Sequence, residues 1–230
     1  MIKHQISKID KLSNIINRFA ARSKYYEGVS LEEGGTSRAG EVSPAIMYLF
    51  NSGVFVSGDK VIDYGAGKYA RNANFLRNQG IDVFAYDPYN GGSGDGWLKI
   101  SSTLPKGEYF NVGFTCYVLN VVPKKIEQKI ISELSSICGV SYHTVRNDIF
   151  DFVKRALLAK KEPIVSFFIN NFASADEIND LEEGNLSNNV IMEFCEFGVQ
   201  TSKGFQRLTV LEKEGASLIL KNKSYKIYRI

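Results

Sequence analysis

The chain has 230 residues, of which 44% are hydrophobic and 23% are charged, and its formal net charge is +3. This composition is typical of a globular protein and excludes a chain that is mostly disordered. The length suits one well-packed domain with an added lobe. A weak positive charge permits a nucleic-acid partner but does not by itself indicate one.

Cysteine content and hydropathy indicate the cellular compartment of the protein and whether it binds a metal. The three cysteines contain no Cys-x-x-Cys pair, and His4 and His143 are far apart, so we expect free thiols and no metal site. The sequence shows neither a signal peptide nor an apolar run of about 20 residues, so we expect no membrane partner. These features predict a cytoplasmic protein.

The N-terminal part is predicted to be helical. Apolar residues recur at helical spacing over residues 5–21, and Ser43 followed by Pro44 is typical of a helix start. We therefore expect residues 1–57 to form a helical cap, followed by the main domain at residues 58–230.

Strands and helices alternate through the middle of the chain. Strands are predicted at residues 61–64, 83–86, 97–100, 109–117, 140–145 and 164–169, and helices at residues 69–78, 123–137 and 149–158. This alternation predicts a parallel sheet with right-handed crossovers. The expected fold class is α/β, with a Rossmann-like, mostly parallel sheet flanked by helices.

The C-terminal section is predicted to be rich in β-structure. Its apolar and β-branched runs predict strands at residues 190–197, 205–211, 217–220 and 225–228. Strands that follow one another without long helical segments favour antiparallel pairing. An antiparallel section is therefore expected after the parallel sheet.

The segment from Val61 to Pro88 has the pattern of a ligand-binding site. Its first strand ends with Asp63 and is followed by the turn Gly65-Ala66-Gly67, where glycine lets a ligand lie close to the backbone. Ligands of open α/β sheets bind beyond the carboxyl ends of strands. Asp87, 24 residues after Asp63, ends the next strand, where its carboxylate can accept both hydroxyls of a ribose.

Two cofactor classes use this layout. Dinucleotide-binding proteins place a pyrophosphate at a helix N-terminus behind a Gly-x-Gly-x-x-Gly loop. Asp63, two positions before the first glycine, would repel that pyrophosphate, whereas it would attract the ammonium of a methionyl group. The acid therefore favours S-adenosyl-L-methionine over a dinucleotide.

These motifs resemble those of a known family. Residues 63–67, Asp-Tyr-Gly-Ala-Gly, look like the first motif of class I S-adenosylmethionine-dependent methyltransferases, and Asp87 matches the family's ribose-binding acid. Residues 114–123 are similar to its fourth-strand motif, which lines the methyl-transfer face. The resemblance covers residues 58–170 and departs at Tyr69, where many members have glycine and a larger side chain would narrow the methionine end of the pocket.

The resemblance implies a set of site residues. Cofactor binding is expected from the first-motif loop, the end of the second strand, the third strand and the end of the fourth strand: Asp63, Tyr64, Gly65, Ala66, Gly67, Tyr86, Asp87, Pro88, Ser101, Thr115, Cys116 and Tyr117. Ser101 or its neighbour Ser102 is expected to contact adenine. Asn120 and Arg146 are the candidate catalytic residues.

Each candidate catalytic residue also has a structural interpretation. Asn120 can bond a substrate group near the methyl, or it can bond nearby backbone and cap the following helix. Arg146 can orient a substrate, or it can pair with Asp148 and stabilise the turn between strand and helix. Glu41 belongs to a loop that can either cover the site or remain solvated. The sequence leaves these alternatives open.

The methyl acceptor is not identified by the sequence. We expect a monomeric or homodimeric methyltransferase that acts on a nucleic-acid base or on a small molecule. The alternative is a non-catalytic S-adenosylmethionine-binding phage or defence factor. Residues 144–148 and 201–207 are weakly similar to segments of small methyltransferases from phages and from bacterial DNA-modification or defence loci. A nucleic-acid substrate predicts that six cations cluster on one face: Lys124, Lys125, Lys203, Arg207, Lys221 and Lys223.

Overall fold

The computed structural model of the chain describes residues 41–92, 100–201, 204–209 and 211–230. The helix predicted at residues 5–21 lies outside these ranges, and the division at residue 57 stays a prediction. The described chain forms two compact units. The first contains residues 41–148 and 209–230, and the second contains residues 149–208.

The first unit is built on one seven-stranded sheet. In chain order its strands are β1 (Lys60–Tyr64), β2 (Asp82–Tyr86), β3 (Ile100–Ser101), β4 (Phe110–Cys116), β5 (Cys138–Arg146), β8 (Ser217–Lys221) and β9 (Tyr225–Arg229). Their order in the sheet is β3-β2-β1-β4-β5-β9-β8. Strands β1 to β5 are parallel, whereas β9 pairs antiparallel with both β5 and β8. The predicted fold class is therefore confirmed, including the antiparallel C-terminal strands.

Three helices cover this sheet on two faces. They are α1 (Pro44–Asn51), α2 (Arg71–Asn78) and α3 (Lys124–Ile137). Adjacent strand residues point to opposite faces, and accordingly Val61 packs in one core cluster with Leu49, while Ile62 packs in another with Leu134. Ser43 begins α1 as predicted, because its hydroxyl accepts a hydrogen bond from the Ala45 amide.

The second unit is mainly helical. It contains α4 (Ile149–Leu158), α5 (Ile164–Asn171), α6 (Ala175–Glu183), α7 (Asn188–Phe197) and a hairpin of β6 (Val199–Thr201) and β7 (Gly204–Gln206). Phenylalanines dominate its core, and the rings of Phe168 and Phe194 pack edge to face with centroids 4.9 Å apart. None of the helices in the described ranges has the length and hydrophobicity that a bilayer-spanning segment requires.

Two strand predictions in this part of the chain were wrong, and a third strand is shorter than predicted. Residues 164–169 and 190–197 lie in helices α5 and α7, and the strand predicted at 205–211 ends at Gln206. Residues Ile164, Phe168 and Phe172 are buried at a spacing of four, which is the period of a helix face and not of a strand. Their β-branched and aromatic side chains favour strands only as an average tendency, which tertiary packing overrides.

The second unit offers a matched test of its packing. Gly198 has φ +117° and lies so close to Phe205 that an added Cβ would be 2.1 Å from the ring, whereas Gly184 has φ +77° with no atom within 4 Å of such a Cβ. We expect Gly198→Ala to lower the free energy of unfolding by at least ~3 kcal/mol, and Gly184→Ala by about 1–2 kcal/mol. Urea unfolding measures both values, and equal losses would contradict this packing.

Candidate functional site

The strand order reverses at the boundary between β1 and β4. Strands β2 and β3 lie on one side of this boundary and β5 on the other, so the connections leave a crevice at the carboxyl ends of β1 and β4. A cavity of about 480 Å³ is found here. It is lined by residues 41–44, by Gly65 and Ala66, by residues 69–72, and by Cys116 with Tyr117. Its volume lies within the usual range of ligand pockets.

The glycine loop after β1 is held by backbone contacts. Gly65 has φ +84°, and an added Cβ would lie 2.4 Å from Cγ2 of Val118, so only glycine fits without displacing its neighbour. The amides of Gly65 and Ala66 both donate to the Tyr86 carbonyl, at 2.8 and 2.9 Å. The loop is therefore fixed to the end of β2 on one side and packed against the segment after β4 on the other.

Asp63 is a buried carboxylate next to this loop. Its side chain is 1% exposed, and neither carboxylate oxygen has a hydrogen-bond partner among the described residues. Burial raises its pKa to about 7, although the dipole of the Ala73 amide and the Arg77 guanidinium both lower it. A carboxylate in this setting is stabilised by a cation, because the Ala73 amide and the Arg77 guanidinium offset only part of the cost of burying its charge.

Asp87 is oriented by two loops at once. Its Oδ2 accepts a hydrogen bond from the Gly67 amide at 2.9 Å. Its Oδ1 accepts from the amides of Tyr89 and Asn90 at 3.0 and 2.9 Å, and from the Asn90 side chain at 3.0 Å. A carboxylate offers about four lone-pair sites, so Oδ2 retains room for one more donor. This geometry suits one ribose hydroxyl, in contrast to the two that the sequence suggested.

The wall formed by the end of β4 carries neutral polar groups. Burial raises the pKa of Cys116 to about 12, Asp63 adds to the rise, and Ser43, Asn72 and Thr144 oppose it. The thiol is therefore protonated at neutral pH and is a poor nucleophile.

Tyr117, on the same wall, is held in an unusual backbone conformation. Burial raises the pKa of its phenol to about 12, so the group remains a hydrogen-bond donor at neutral pH. Its φ is +62°, and its amide donates to the Thr144 carbonyl at 2.9 Å. A tyrosine in this left-handed region is strained, and such strain is concentrated at functional sites.

Other residues predicted for the cofactor lie near the cavity without lining it. Tyr64 and Tyr86 point to the opposite face of the sheet from Asp63, where the Tyr64 hydroxyl donates to Glu133 at 2.5 Å. The Ser101 carbonyl accepts the Asp87 amide at 2.9 Å, while its hydroxyl donates to the Thr103 carbonyl. These side chains therefore support the strand ends from outside the cavity.

Two further predicted cofactor residues have contrasting surroundings. Thr115 is fully buried, and its hydroxyl bonds Nδ1 of His143 at 3.1 Å, inside the sheet. Pro88 is exposed directly after Asp87. Neither lines the cavity, so their contact with a cofactor stays a prediction.

The two candidate catalytic residues are engaged in local structure. Asn120 is fully buried; its amide nitrogen donates to the Thr209 hydroxyl at 2.9 Å, and its oxygen accepts the Arg146 amide at 2.6 Å. The Arg146 side chain forms a bidentate pair with Asp148, at 2.9 and 2.8 Å. This geometry favours the structural interpretation of both residues over direct contact with a substrate.

The cavity also contains residues that the sequence did not assign to the site. The Ser43 amide donates to Oδ1 of Asn72 at 3.0 Å, which joins the start of α1 to the start of α2. Tyr69 and Arg71 complete the lining beside the glycine loop. The sequence signals were the helix start at Ser43 and the unusual residue at position 69. Neither showed that α1 leads to the carboxyl edge of the sheet.

Solved structures of other proteins share this fold at low sequence identity. The chain is similar to a Rhodobacter sphaeroides protein described as a candidate zinc-dependent alcohol dehydrogenase, with a TM-score of 0.50, 13% identity, and coverage of 91% of this chain and 96% of that chain. It is also similar to magnesium protoporphyrin IX methyltransferase from Synechocystis with bound S-adenosylhomocysteine, with a TM-score of 0.43, 14% identity and coverage of 80% and 78%.

A third structure concerns the conversion of a disulfide bond into a thioacetal group during echinomycin biosynthesis; its TM-score is 0.46, its identity 16%, and the coverage 89% and 88%. No protein-family model and no curated protein matches the chain. At these identities the similarity concerns the fold. The sheet order and strand directions give the chain a Rossmann-like α/β fold.

Asp63 and His143 should give opposite pH dependences of stability. Folding raises the pKa of Asp63 from 3.8 to about 7, so its contribution to stability is lost as the pH rises through that range. Burial lowers the pKa of His143 from 6.5 to about 4, so its contribution is lost as the pH falls. Relative to the parent chain, Asp63→Asn should gain roughly 3 kcal/mol between about pH 5 and about pH 7.5, and His143→Gln should lose roughly 2 kcal/mol over the same interval. Urea unfolding at both pH values measures these differences, and parallel pH profiles would contradict the two assignments.

Asn120 is expected to act as a structural residue. Asn120→Ala removes the partners of the Arg146 amide and the Thr209 hydroxyl inside the core, so it should cost about 2–4 kcal/mol of unfolding free energy. The control is Asn147→Ala, whose side chain donates to the Asn222 carbonyl at the surface and should cost below ~1 kcal/mol. Unfolding curves compare the two, and a wild-type stability for Asn120→Ala would disprove the structural role.

Proposed function

We propose that this chain binds S-adenosylmethionine in the cavity at the carboxyl ends of β1 and β4 and transfers its methyl group to an acceptor. The observation that carries the proposal is Asp63, a carboxylate that is 1% exposed and has no hydrogen-bond partner among the described residues. It lies two residues before Gly65, which lines the cavity. A cationic methionyl group beside it would supply the missing counter-charge.

The residues around the cavity fit this cofactor. The Gly65–Ala66 turn lets a ligand approach the backbone, and Oδ2 of Asp87 has room for one ribose hydroxyl. S-adenosylmethionine supplies a methyl group activated by its bond to a positively charged sulfur. The chain's own part is to hold and align the two reactants, which accounts for a large share of the rate in such displacements.

The state of Cys116 also suits a methyl-transfer site. A thiolate on the cavity wall would compete with the acceptor as a nucleophile. Burial and the nearby Asp63 charge raise the pKa of Cys116 to about 12, so the sulfur stays protonated. Asp63 would therefore attract the cationic ligand, and its charge adds to the effect of burial on the pKa of the neighbouring thiol.

A dinucleotide fits the same cavity less well. In the classic dinucleotide-binding fold the sheet continues with a sixth parallel strand, whereas here the strand next to β5 is the antiparallel β9. The N-terminus of α2 faces Asp63, whose charge would repel a pyrophosphate placed there. The sheet order and the buried acid thus support the same choice of cofactor.

Isothermal calorimetry tests the proposal with S-adenosylmethionine, its demethylated product and NAD as separate ligands. We expect micromolar binding of the first two, at least a tenfold weaker affinity in Asp63→Asn, and no change in the control Asp82→Asn, whose carboxyl is exposed at the start of β2. Affinity should rise as the pH increases through about 7, because Asp63 ionises over that interval. Binding of NAD alone would overturn the proposal. Because Asp63→Asn is expected to be the more stable protein at neutral pH, its weaker binding cannot be ascribed to unfolding.

A further inference from the structure

Several basic side chains meet at the carboxyl edge of the sheet. Lys68 and Arg71 follow β1, and Lys124 and Lys125 begin α3 just after the segment that follows β4; all four are exposed. The turn between β8 and β9 lies at the same edge, because the Asn147 amide at the end of β5 donates to the Ser224 carbonyl at 3.0 Å. This turn is flanked by two more exposed lysines, Lys221 and Lys223.

Acidic groups offset part of this charge: Glu212 interacts with Lys221 and is paired with Lys226 at 3.8 Å. Asp148 is paired with Arg146 at 2.8 Å, and the carboxylate of Asp87 is taken up by backbone amides. Among the described residues of this edge, Glu41 is the acid that borders the cavity. At the opposite edge of the sheet, lysines at the strand starts alternate with acids instead: Asp59, Lys60, Asp82, Lys106 and Glu108. The positive charge is therefore concentrated on the edge that contains the cavity.

An exposed aromatic ring stands at the mouth of the cavity between two of these cations. Tyr69 is 48% exposed and lines the cavity. The Arg71 guanidinium lies 5.3 Å and the Lys68 ammonium 5.7 Å from the centre of its ring. Both cations lie over the ring, so a planar group that stacks on Tyr69 would displace one of them from the ring face and leave two cations beside it. A nucleotide within a single strand has this chemistry, because a base with an aromatic face is flanked by two phosphates.

We propose that the carboxyl edge of the sheet binds single-stranded nucleic acid and that Tyr69 stacks against one base at the mouth of the cavity. This inference rests on the proposed function for the identity of that base as the methyl acceptor. Four strand intervals separate β1 from β8, so the basic edge extends for about 19 Å beyond Tyr69, enough for several nucleotides. A duplex fits less well, since its bases are already stacked on each other.

Four of the six cations that were predicted to cluster on one face lie at this edge. Lys124, Lys125, Lys221 and Lys223 lie at this edge, whereas Arg207 is buried in the second unit and Lys203 lies outside the described residues. Lys68 and Arg71 extend the cluster toward the cavity.

Fluorescence anisotropy with a labelled single-stranded oligonucleotide of about 12 nucleotides tests the surface. The double variants Lys124→Glu/Lys125→Glu and Lys221→Glu/Lys223→Glu should each weaken binding at least tenfold at about 100 mM salt and reduce the salt dependence of the affinity. The control Lys60→Glu/Lys106→Glu makes the same change in net charge at the opposite edge and should stay within about twofold of the parent chain. Equal losses in all three variants, or no binding by the parent chain, would overturn the proposal.

The stacking of a base on Tyr69 is tested separately. Tyr69→Ala should weaken oligonucleotide binding about tenfold, and Tyr69→Phe should retain it. Equal affinity for a duplex of the same sequence, or equal binding by Tyr69→Ala, would refute the stacked base. Calorimetry with S-adenosylmethionine on the lysine variants separates the two proposals. Unchanged cofactor affinity beside lost oligonucleotide binding supports this surface, whereas oligonucleotide binding without any cofactor binding in the parent chain would refute the proposed function alone.

Discussion

The first unit is organised around a carboxylate that is buried without a hydrogen-bonding side chain among the described residues. Asp63 ends the central strand β1, where parallel neighbours on both sides and a helix on its face exclude water. Keeping it ionised is costly, and the opposing Arg77 guanidinium is itself held by the Val83 carbonyl at 2.9 and 2.7 Å. A residue that lowers stability persists where function requires it. A cationic ligand in the cavity, as proposed above, would offset this charge.

The surroundings of Asp63 consist largely of main-chain contacts. The Tyr86 carbonyl holds the glycine loop, and the Gly67 amide holds Asp87, so the ends of β1 and β2 fix each other. Val118 packs where a Cβ on Gly65 would be. Because these contacts depend on backbone positions, a site of this kind tolerates extensive change of side chains. This agrees with the 13% identity between the chain and the Rhodobacter sphaeroides protein of similar fold.

The sequence predicted the parts of the fold whose signals are local. The strand, glycine turn and acid from Val61 to Asp87 lie within one short segment, so their geometry follows from nearby residues. The helix α7 was wrongly predicted as a strand, because its β-branched and aromatic residues favour a strand. Its buried residues recur every three to four positions, which is the period of a helix. The surroundings of Asn120 could not be predicted for another reason: its partner Thr209 is 89 residues away, and no local pattern reveals such a contact.

The distribution of charge over the fold could not be predicted from the sequence either. A net charge of +3 is an average over the whole chain, in which the acids near the amino ends of the strands cancel cations elsewhere. Sheet topology decides which cations share an edge: β9 runs antiparallel to β5, so the turn with Lys221 and Lys223 is brought to the same edge as the cavity. An electrostatic field acts locally, over about one Debye length, which is ~10 Å at ordinary salt. The partner of such a protein is therefore selected by the charge of the edge that contains the site, and a weak overall charge is no argument against a polyanion.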